Sequence, residues 1–301
     1  MFKSNVPLIS NIGNHLVGSG GKRLRPLFHI LSAGLAGYKG DKHIPLASII
    51  ESVHTASLLH DDVVDGADFR RGSPSANSLW SNQVVILVGD FLYSNALRLT
   101  VTFKDQKILE VLASSANSMT LGELTQLHRS HDISITEEEY FEIISAKTGS
   151  LISVATRIGG ILAQVSDRKV EALADFGLQV GNAFQVVDDI LDYKADEDEL
   201  GKTLGKDLHE GKVTLPMIYL LRHVNDTERS DIKIILDSDE ITDNSLNRIL
   251  ELFKKYDALR EAEQKARSIV DDARADLDVF ADCREKTLLL DIAEYSLQRE
   301  K

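Results

Sequence analysis

The chain has 301 residues, of which 43% are hydrophobic, enough apolar material for one large core or two small ones. Its formal net charge of -13, from 47 acidic and 34 basic residues, argues against a nucleic-acid-binding surface and a polybasic membrane anchor. The single cysteine, Cys283, cannot form an intramolecular disulfide, which fits a reducing cytosol. There is no signal-peptide pattern, and no apolar run reaches the roughly 18 residues of a spanning helix. We therefore expect a soluble, cytoplasmic protein without a transmembrane segment.

Apolar residues recur at helical spacing along most of the chain, while alternating spacing is nearly absent. Several segments, such as "ASIIESVHTASLLH", are apolar over most of their circumference, as expected for helices that are surrounded by others or that line a cavity. Without a linker, low-complexity tract or repeat, the pattern predicts one all-α domain over residues 1–301. The predicted helices cover residues 26–38, 45–64, 74–100, 106–127, 137–163, 167–193, 215–223, 245–256, 259–280 and 284–299.

A basic, glycine-rich turn, "GSGGKRLRP", precedes the first of these helices. Lys22, Arg23 and Arg25 gather beside a helix N-terminus, where free N–H groups and the helix dipole favour an anion. The turn predicts a phosphate site, with a flexible surface turn as the alternative.

The stretch "SLLHDDVVDGADFRR" places three aspartates at the end of an apolar helix. Asp61 and Asp65 stand four residues apart and project from one helix face, with Asp62 beside them. Ionised carboxylates call for a cation, and hard oxygen ligands suit Mg²⁺. Arg70 and Arg71 follow, and their planar guanidinium groups can donate paired hydrogen bonds to phosphate oxygens. The alternative is an ordinary charged helix terminus on the surface.

The stretch "FQVVDDILDYKADEDELGKTLGKD" repeats the same spacing at Asp188, Asp189 and Asp192. Lysines again follow the carboxylates, at Lys202, Lys206 and Lys212. Two such clusters favour a metal-bridged polyanion, although the loop alone is typical of solvated charge. Four other polar residues lie in helical stretches, and for each of them taken alone the simplest interpretation is a structural or solvated side chain: His54, Lys147, Thr148 and Gln185.

Together, "GGKRLRP", "HTASLLHDDVVDGADFRRG", "LVGDFL", "KTGSL", "FQVVDDILDY" and "GKVTLP" resemble the trans-type polyprenyl diphosphate synthases over nearly the whole chain. The resemblance implies an orthogonal helix bundle around a deep central cavity, a homodimer, and Mg²⁺, three ions per site with substrate bound. It implies as metal ligands Asp61, Asp62, Asp65, Asp188, Asp189 and Asp192, which with Lys147 and Lys202 form the catalytic set. It assigns to the allylic diphosphate Arg70, Lys147, Thr148, Gln185, Lys202 and Lys212. It assigns to isopentenyl diphosphate Lys22, Arg25, His54 and Arg71.

Product length is expected to depend on the positions four and five residues before the first aspartate. Short-chain relatives typically carry an aromatic side chain there, whereas this chain has Ser57 and Ala56. These small residues and the sequence "HTASLLHDDVVD" around them are most like those of long-chain synthases such as octaprenyl diphosphate synthase. We expect the prenyl tail to extend past them to a larger residue such as Met119 or Leu97.

Three alternatives remain open. A farnesyl or geranylgeranyl diphosphate synthase would share every motif. A class I terpene cyclase would share the first aspartate motif, but "DDILD" and "GGKRLRP" speak against it. A non-catalytic subunit of a heteromeric synthase would lack the aspartates that this chain retains.

Overall fold

The computed structural model describes residues 5–18, 20–70, 72–194, 204–238 and 240–298. Its regular structure is helical apart from one short hairpin, which confirms the all-α prediction. The helices are α1 Pro7–Gly18, α2 Leu24–Leu35, α3 His43–Val64, α4 Ala76–Leu79, α5 Asn82–Val101, α6 Gln106–His128, α7 Glu137–Ile144, α8 Ser150–Leu162, α9 Asp167–Leu191, α10 Lys206–His209, α11 Leu215–His223, α12 Asp226–Leu236, α13 Asp243–Tyr256, α14 Ala258–Asp276 and α15 Arg284–Leu297. A π-helix, Ser145–Gly149, joins α7 to α8, and a 3₁₀ turn, Leu277–Val279, follows α14.

The chain divides into two compact units, each made of two stretches of sequence. The first unit comprises Met1–Ala116 and Val154–Ala174, and the second comprises Asn117–Ser153 and Asp175–Lys301. The expectation of a single domain stays a prediction.

In the first unit, α3 packs against α2 and α5. One of its hydrophobic clusters joins Ile9 and Ile12 of α1 to Ala56 and Leu59 of α3 and to Val85 and other residues that follow. Burial of such side chains contributes about 1.5–3 kcal/mol each. This packing fixes the helix that ends in the first aspartate motif.

A short antiparallel hairpin follows α3, with β1 at Phe69–Arg70 and β2 at Ser73–Pro74. The prediction of a helix over residues 74–100 is therefore wrong for its first residues. Ser75 closes the hairpin, because its backbone N–H donates to the Asp68 carbonyl (2.9 Å) and its hydroxyl donates to the Ala67 carbonyl (2.5 Å). The chain then makes the single turn of α4 and becomes extended before α5 begins.

In the second unit, α11 is the central element, and every residue from Leu215 to Leu221 is buried. It contacts α7, α13 and α14. Capping boxes begin α7, through Thr136 and Glu139, and α12, through Asn225 and Glu228. Each box satisfies backbone N–H groups that the first helical turn leaves unpaired. Helix α12 was missed by the sequence pattern, because its apolar residues are few and its first turn is polar.

Among the described residues, only α5 is long and apolar enough to span a membrane by length and composition. About a third of that stretch, 33%, is buried within the chain. The helix also carries Asp90 and Arg98. Because core helices of soluble proteins pass the same test, α5 is weak evidence for a membrane segment.

Candidate active site

The first aspartate motif ends α3. Asp61 and Asp65 are half-buried and stand four residues apart, and the Asp65 backbone N–H donates to the Asp61 carbonyl at 2.8 Å as the helix ends. The predicted helical spacing of this pair is confirmed. Asp62 differs from both, since its side chain is fully buried.

Arg70 forms an ion pair with this buried carboxylate. Its Nε donates to Asp62 Oδ1 at 2.5 Å, and the hairpin strand β1 holds it there. Within the described residues, Asp62 Oδ2 is buried and accepts no hydrogen bond. Arg70, assigned by resemblance to the allylic diphosphate, thus also compensates a buried charge. Arg71 lies outside the described residues.

The glycines of the basic turn adopt backbone conformations that side chains disfavour. Gly20 and Gly21 have φ values of 79° and 134°, and Arg23 is left-handed at 51°. Arg23 Nη1 donates to Glu51 of α3 at 2.5 Å, which ties the turn to that helix, and Lys22 is exposed.

Arg25 and His54, both predicted to bind isopentenyl diphosphate, are in contact. Arg25 Nη1 donates to His54 Nε2 at 3.1 Å. A guanidinium can only donate, so this imidazole nitrogen accepts and the ring proton resides on Nδ1. The two residues therefore act as one polar group beside the basic turn.

The second aspartate motif ends α9, and Asp189 is its most buried member at 4% exposure. Tyr140 Oη donates to Asp189 Oδ2 at 2.5 Å, and Gln185 Nε2 donates to Oδ1 at 2.8 Å. Burial raises the Asp189 pKa to about 7, aided by the charges of Asp188 and Asp192 and opposed by the two hydrogen bonds.

Asp192 caps the short helix α10. Its Oδ1 and Oδ2 accept the backbone N–H groups of Lys206 (3.0 Å) and Asp207 (2.9 Å). Burial raises the Asp192 pKa, although these hydrogen bonds oppose the shift. The third aspartate of the motif therefore anchors the start of α10. Asp188 is half-buried.

Lys147 and Thr148 lie on the π-helix, which interrupts the continuous helix predicted over residues 137–163. Lys147 Nζ lies 2.5 Å from Glu123 Oε2 and 2.7 Å from Gln126 Oε1, both on α6. Thr148 Oγ1 donates to Gln185 Oε1 at 2.9 Å. A π-turn often marks a functional site, because it re-aims side chains within a helix.

Glycines permit the close packing around this π-helix. A Cβ on Gly181 of α9 would lie 2.7 Å from Gly149 Cα, and one on Gly122 of α6 would lie 2.9 Å from the Lys147 nitrogen. Neither position accepts a side chain without movement of backbone atoms.

Lys212 lies near Gln126 and Tyr140. Its Nζ pairs with Glu210, which also receives Lys206 Nζ at 3.0 Å. A small pocket in this unit is lined by Lys212, Gln126, Tyr140 and other residues. Lys202, predicted to bind the allylic diphosphate, lies outside the described residues.

The comparisons with known proteins agree with one another. The family model for polyprenyl synthetase matches residues 6–253. The octaprenyl diphosphate synthase of Escherichia coli is 38% identical over 300 residues, covering 100% of this chain and 93% of that protein.

The chain belongs to the polyprenyl synthetase family. It is a prenyltransferase of the long-chain trans type, as predicted. The decaprenyl diphosphate synthase of Rhodobacter capsulatus has a TM-score of 0.94 at 36% identity, covering 100% of this chain and 93% of that one. A Caulobacter crescentus polyprenyl synthase complexed with calcium and isoprenyl diphosphate has a TM-score of 0.94 at 39% identity, covering 100% and 92%. The predicted helical isoprenoid synthase fold is confirmed.

The two small residues before the first motif differ in their surroundings in this synthase. Ala56 is fully buried in the hydrophobic cluster with Ile9 and Ile12, whereas Ser57 is half-buried and its hydroxyl donates to the His54 carbonyl at 2.8 Å. A larger side chain at position 56 would therefore press on packed helices, and position 57 has more room.

Sequence reasoning gave no role to three residues that hold the predicted ones in place. Tyr140 contacts Asp189, Glu123 contacts Lys147, and Glu210 contacts Lys212. Glu123 lies on α6 and Lys147 on the π-helix, and Tyr140 precedes Asp189 by 49 residues, so only the fold brings the members of each pair together. A buried tyrosine within a helix gives no sequence signal of its own.

Proposed function

We propose that this synthase condenses an allylic diphosphate with successive isopentenyl diphosphates to give an all-trans polyprenyl diphosphate of octaprenyl-like length. The observation that carries the proposal is the hydrogen-bonded group at the second aspartate motif. There the side chains of Thr148, Gln185 and Asp189 are linked one to the next, with Lys147 beside Thr148 on the π-helix. This is a pre-organised polar surface at which a diphosphate and its metal ions can be held.

Mg²⁺ fits the residues of the first motif. The buried Asp62 Oδ2 has no hydrogen-bond donor among the described residues, and two half-buried carboxylates stand beside it on the same helix. Among those residues, no three His, Cys, Asp or Glu side chains form a ready-made metal cage. This suits Mg²⁺, which commonly uses one or two protein carboxylates and completes its shell with water and substrate phosphate. We propose as ligands Asp61, Asp62, Asp65, Asp188, Asp189 and Asp192, for three ions once substrate is present.

When bound, Mg²⁺ offsets the negative charge that develops on the departing diphosphate. The cations of the chain act with it. Lys147, Lys202, Lys212 and Arg70 would bind the allylic diphosphate together with Thr148 and Gln185. Lys147 and Lys212 are each paired with a glutamate, so their ammonium groups are already oriented before substrate arrives.

Lys22, Arg25, His54 and Arg71 would bind isopentenyl diphosphate. The Arg25–His54 contact and the glycine-rich turn support this assignment, since a helix N-terminus with several cations favours an anion. In the reaction, the bond from the allylic carbon to diphosphate breaks. The terminal alkene carbon of isopentenyl diphosphate then bonds to that carbon, and the released diphosphate takes the proton that is lost.

We propose that product length depends on the space below the first motif, in the deep cavity that the resemblance implies. Ser57→Phe tests this better than Ala56→Phe, because position 56 is packed. Ser57→Phe should shorten the main product while the melting temperature changes little. Ala56→Phe should cost about 1–3 kcal/mol through overpacking. An unchanged product from a folded Ser57→Phe variant would exclude a tail that runs past this residue.

We further propose that the synthase is a cytoplasmic homodimer. Leu121, Leu124 and Leu127 form an exposed apolar stripe on α6, at 53%, 57% and 48% exposure. Leu87 of α5 is 66% exposed. Light scattering after size exclusion should give a dimer, and Leu124→Glu should shift it towards the monomer. A wild-type chain that stays monomeric at working concentration would refute the dimer.

The reaction is tested with purified protein, Mg²⁺, farnesyl diphosphate and labelled isopentenyl diphosphate. Asp61→Asn and Asp188→Asn should each lower incorporation by about a hundredfold or more. Asp41→Asn, in an exposed turn, is the matched control and should leave it unchanged. Hydrocarbon release without incorporation would favour a cyclase. No incorporation without a partner chain would favour a non-catalytic subunit.

A further inference from the structure

Tyr140 is a buried residue whose hydroxyl contacts the second aspartate motif. It lies in α7 at 3% exposure, within the hydrophobic cluster of the second unit. A tyrosine hydroxyl inside a core needs a partner, and here the partner is Asp189 Oδ2 at 2.5 Å. The bond joins a core helix to a residue at the end of α9, 49 positions later in the chain.

The hydrogen bonds that continue from Asp189 have one direction. Tyr140 and Gln185 both donate to Asp189, so the Gln185 side chain turns its NH₂ group to the carboxylate, at 2.8 Å. The Gln185 carbonyl oxygen then faces Thr148, whose hydroxyl donates to it at 2.9 Å. The orientation of the amide and of the hydroxyl therefore depends on where the carboxylate of Asp189 is held.

Tyr140 is the donor that holds that carboxylate from the side of the core. Asp189 is 4% exposed, so water offers little alternative to the tyrosine hydroxyl. Among the described residues, loss of this donor would leave the carboxylate with the Gln185 hydrogen bond alone, and the carboxylate could then rotate. Gln185 and Thr148 would then lose the constraint on their own orientation.

We propose that Tyr140 is a positioning residue of the synthase, which acts through Asp189 to set Gln185 and Thr148 in the orientation that receives the allylic diphosphate. This inference rests on the proposed function, because it names what orients the diphosphate-binding residues. It assigns Tyr140 no contact with substrate.

A purely structural role in the core is the competing explanation, and Tyr219 provides a matched control. Tyr219 belongs to the same cluster and is 4% exposed, and burial, followed by the negative charge of a different carboxylate, Glu137, raises its pKa. Tyr140→Phe and Tyr219→Phe each remove one hydroxyl from a tyrosine–carboxylate pair. Both should lower the melting temperature by similar amounts, whichever explanation holds.

The test compares the two variants in the full chain. Titration of inorganic pyrophosphate in the presence of Mg²⁺, followed by calorimetry, measures diphosphate binding without turnover. Steady-state assays give kcat and separate KM values for farnesyl and isopentenyl diphosphate. We expect Tyr140→Phe to weaken pyrophosphate binding and raise the allylic KM by about tenfold. This is the usual effect when a charged ligand loses one hydrogen bond, here one from Gln185 or Thr148. The isopentenyl KM should change less than about twofold, and Tyr219→Phe should resemble the wild type.

A double variant tests whether the effect of Tyr140 passes through Gln185. In a Gln185→Ala background, Tyr140→Phe should have less than about a twofold further effect on pyrophosphate binding, because the link is already broken. Full additivity, or a Tyr140→Phe variant that binds pyrophosphate like Tyr219→Phe, would overturn the inference. A wild-type protein that binds pyrophosphate but does not elongate would reject the proposed function, and the binding comparison would still test Tyr140.

Discussion

His29 makes the folded state of this protein sensitive to acid. The side chain lies in α2 and is completely buried, and its Nδ1–H donates to the Ala155 carbonyl at 2.9 Å. Among the described residues, Nε2 is buried without a hydrogen-bond partner. Protonation would therefore put a charge on a buried nitrogen that makes no hydrogen bond to the described residues.

Burial lowers the pKa of His29 from 6.5 to about 4; the hydrogen bond to the Ala155 carbonyl and the backbone of His43 oppose the shift, and the electrostatic effect of the His43 side chain adds to it. The folded protein thus binds this proton less readily than the unfolded chain does. The stability contributed by neutral His29 is complete above about pH 6.5 and is lost as the pH falls towards 4. One pKa unit corresponds to about 1.4 kcal/mol, so the loss is about 2 kcal/mol at pH 5.

The assay is urea unfolding of the wild type and of His29→Asn at pH 7.5 and pH 5. Asparagine keeps an N–H donor near the position of Nδ1 but cannot titrate. The wild type should lose about 2 kcal/mol more than the variant between the two pH values. Taking this difference removes the contributions of the other histidines, which both proteins share. Equal losses in the two proteins would refute the argument that a buried neutral imidazole resists protonation here.

Three further predictions follow from the packing and from the metal site. Gly181→Ala should destabilise the protein by about 1–3 kcal/mol in urea unfolding, because its Cβ would meet Gly149 Cα at 2.7 Å; an unchanged midpoint would contradict this packing. Arg70→Gln should cost about 2–4 kcal/mol by leaving the carboxylate of Asp62 buried and unpaired, whereas Lys107→Gln, from an exposed ion pair, should cost less than about 1 kcal/mol; equal costs would refute the distinction. Chelation with EDTA should reduce prenyl transfer to background and added Mg²⁺ should restore it, and activity that persists in EDTA would refute the metal requirement.

The sequence predicted the helical class and the positions of both aspartate motifs, because each depends on local spacing. Asp61 and Asp65 lie one turn apart whenever their segment is helical, whatever surrounds it. The prediction of a helix starting at Pro74 was wrong, since hydrogen bonds from Ser75 to Asp68 and Ala67 hold this segment in a hairpin.

Other features depend on contacts between distant residues and could not be read from spacing. The π-helix at Ser145–Gly149 lies within the single helix that periodicity predicts over residues 137–163, because residue spacing alone does not distinguish π-helix from α-helix. The pairing of Arg70 with Asp62, and of Tyr140 with Asp189, requires the chain to fold first. The identity of Tyr140 as a partner of the site therefore emerged only from three-dimensional structure.

The length distribution of the products tests the proposed long-chain synthesis most directly. Purified protein is incubated with Mg²⁺, farnesyl diphosphate and labelled isopentenyl diphosphate, and the dephosphorylated products are separated by chain length. We expect a ladder that ends in a dominant heptaprenyl to nonaprenyl product. A dominant geranylgeranyl product, or no extension of farnesyl diphosphate, would contradict it.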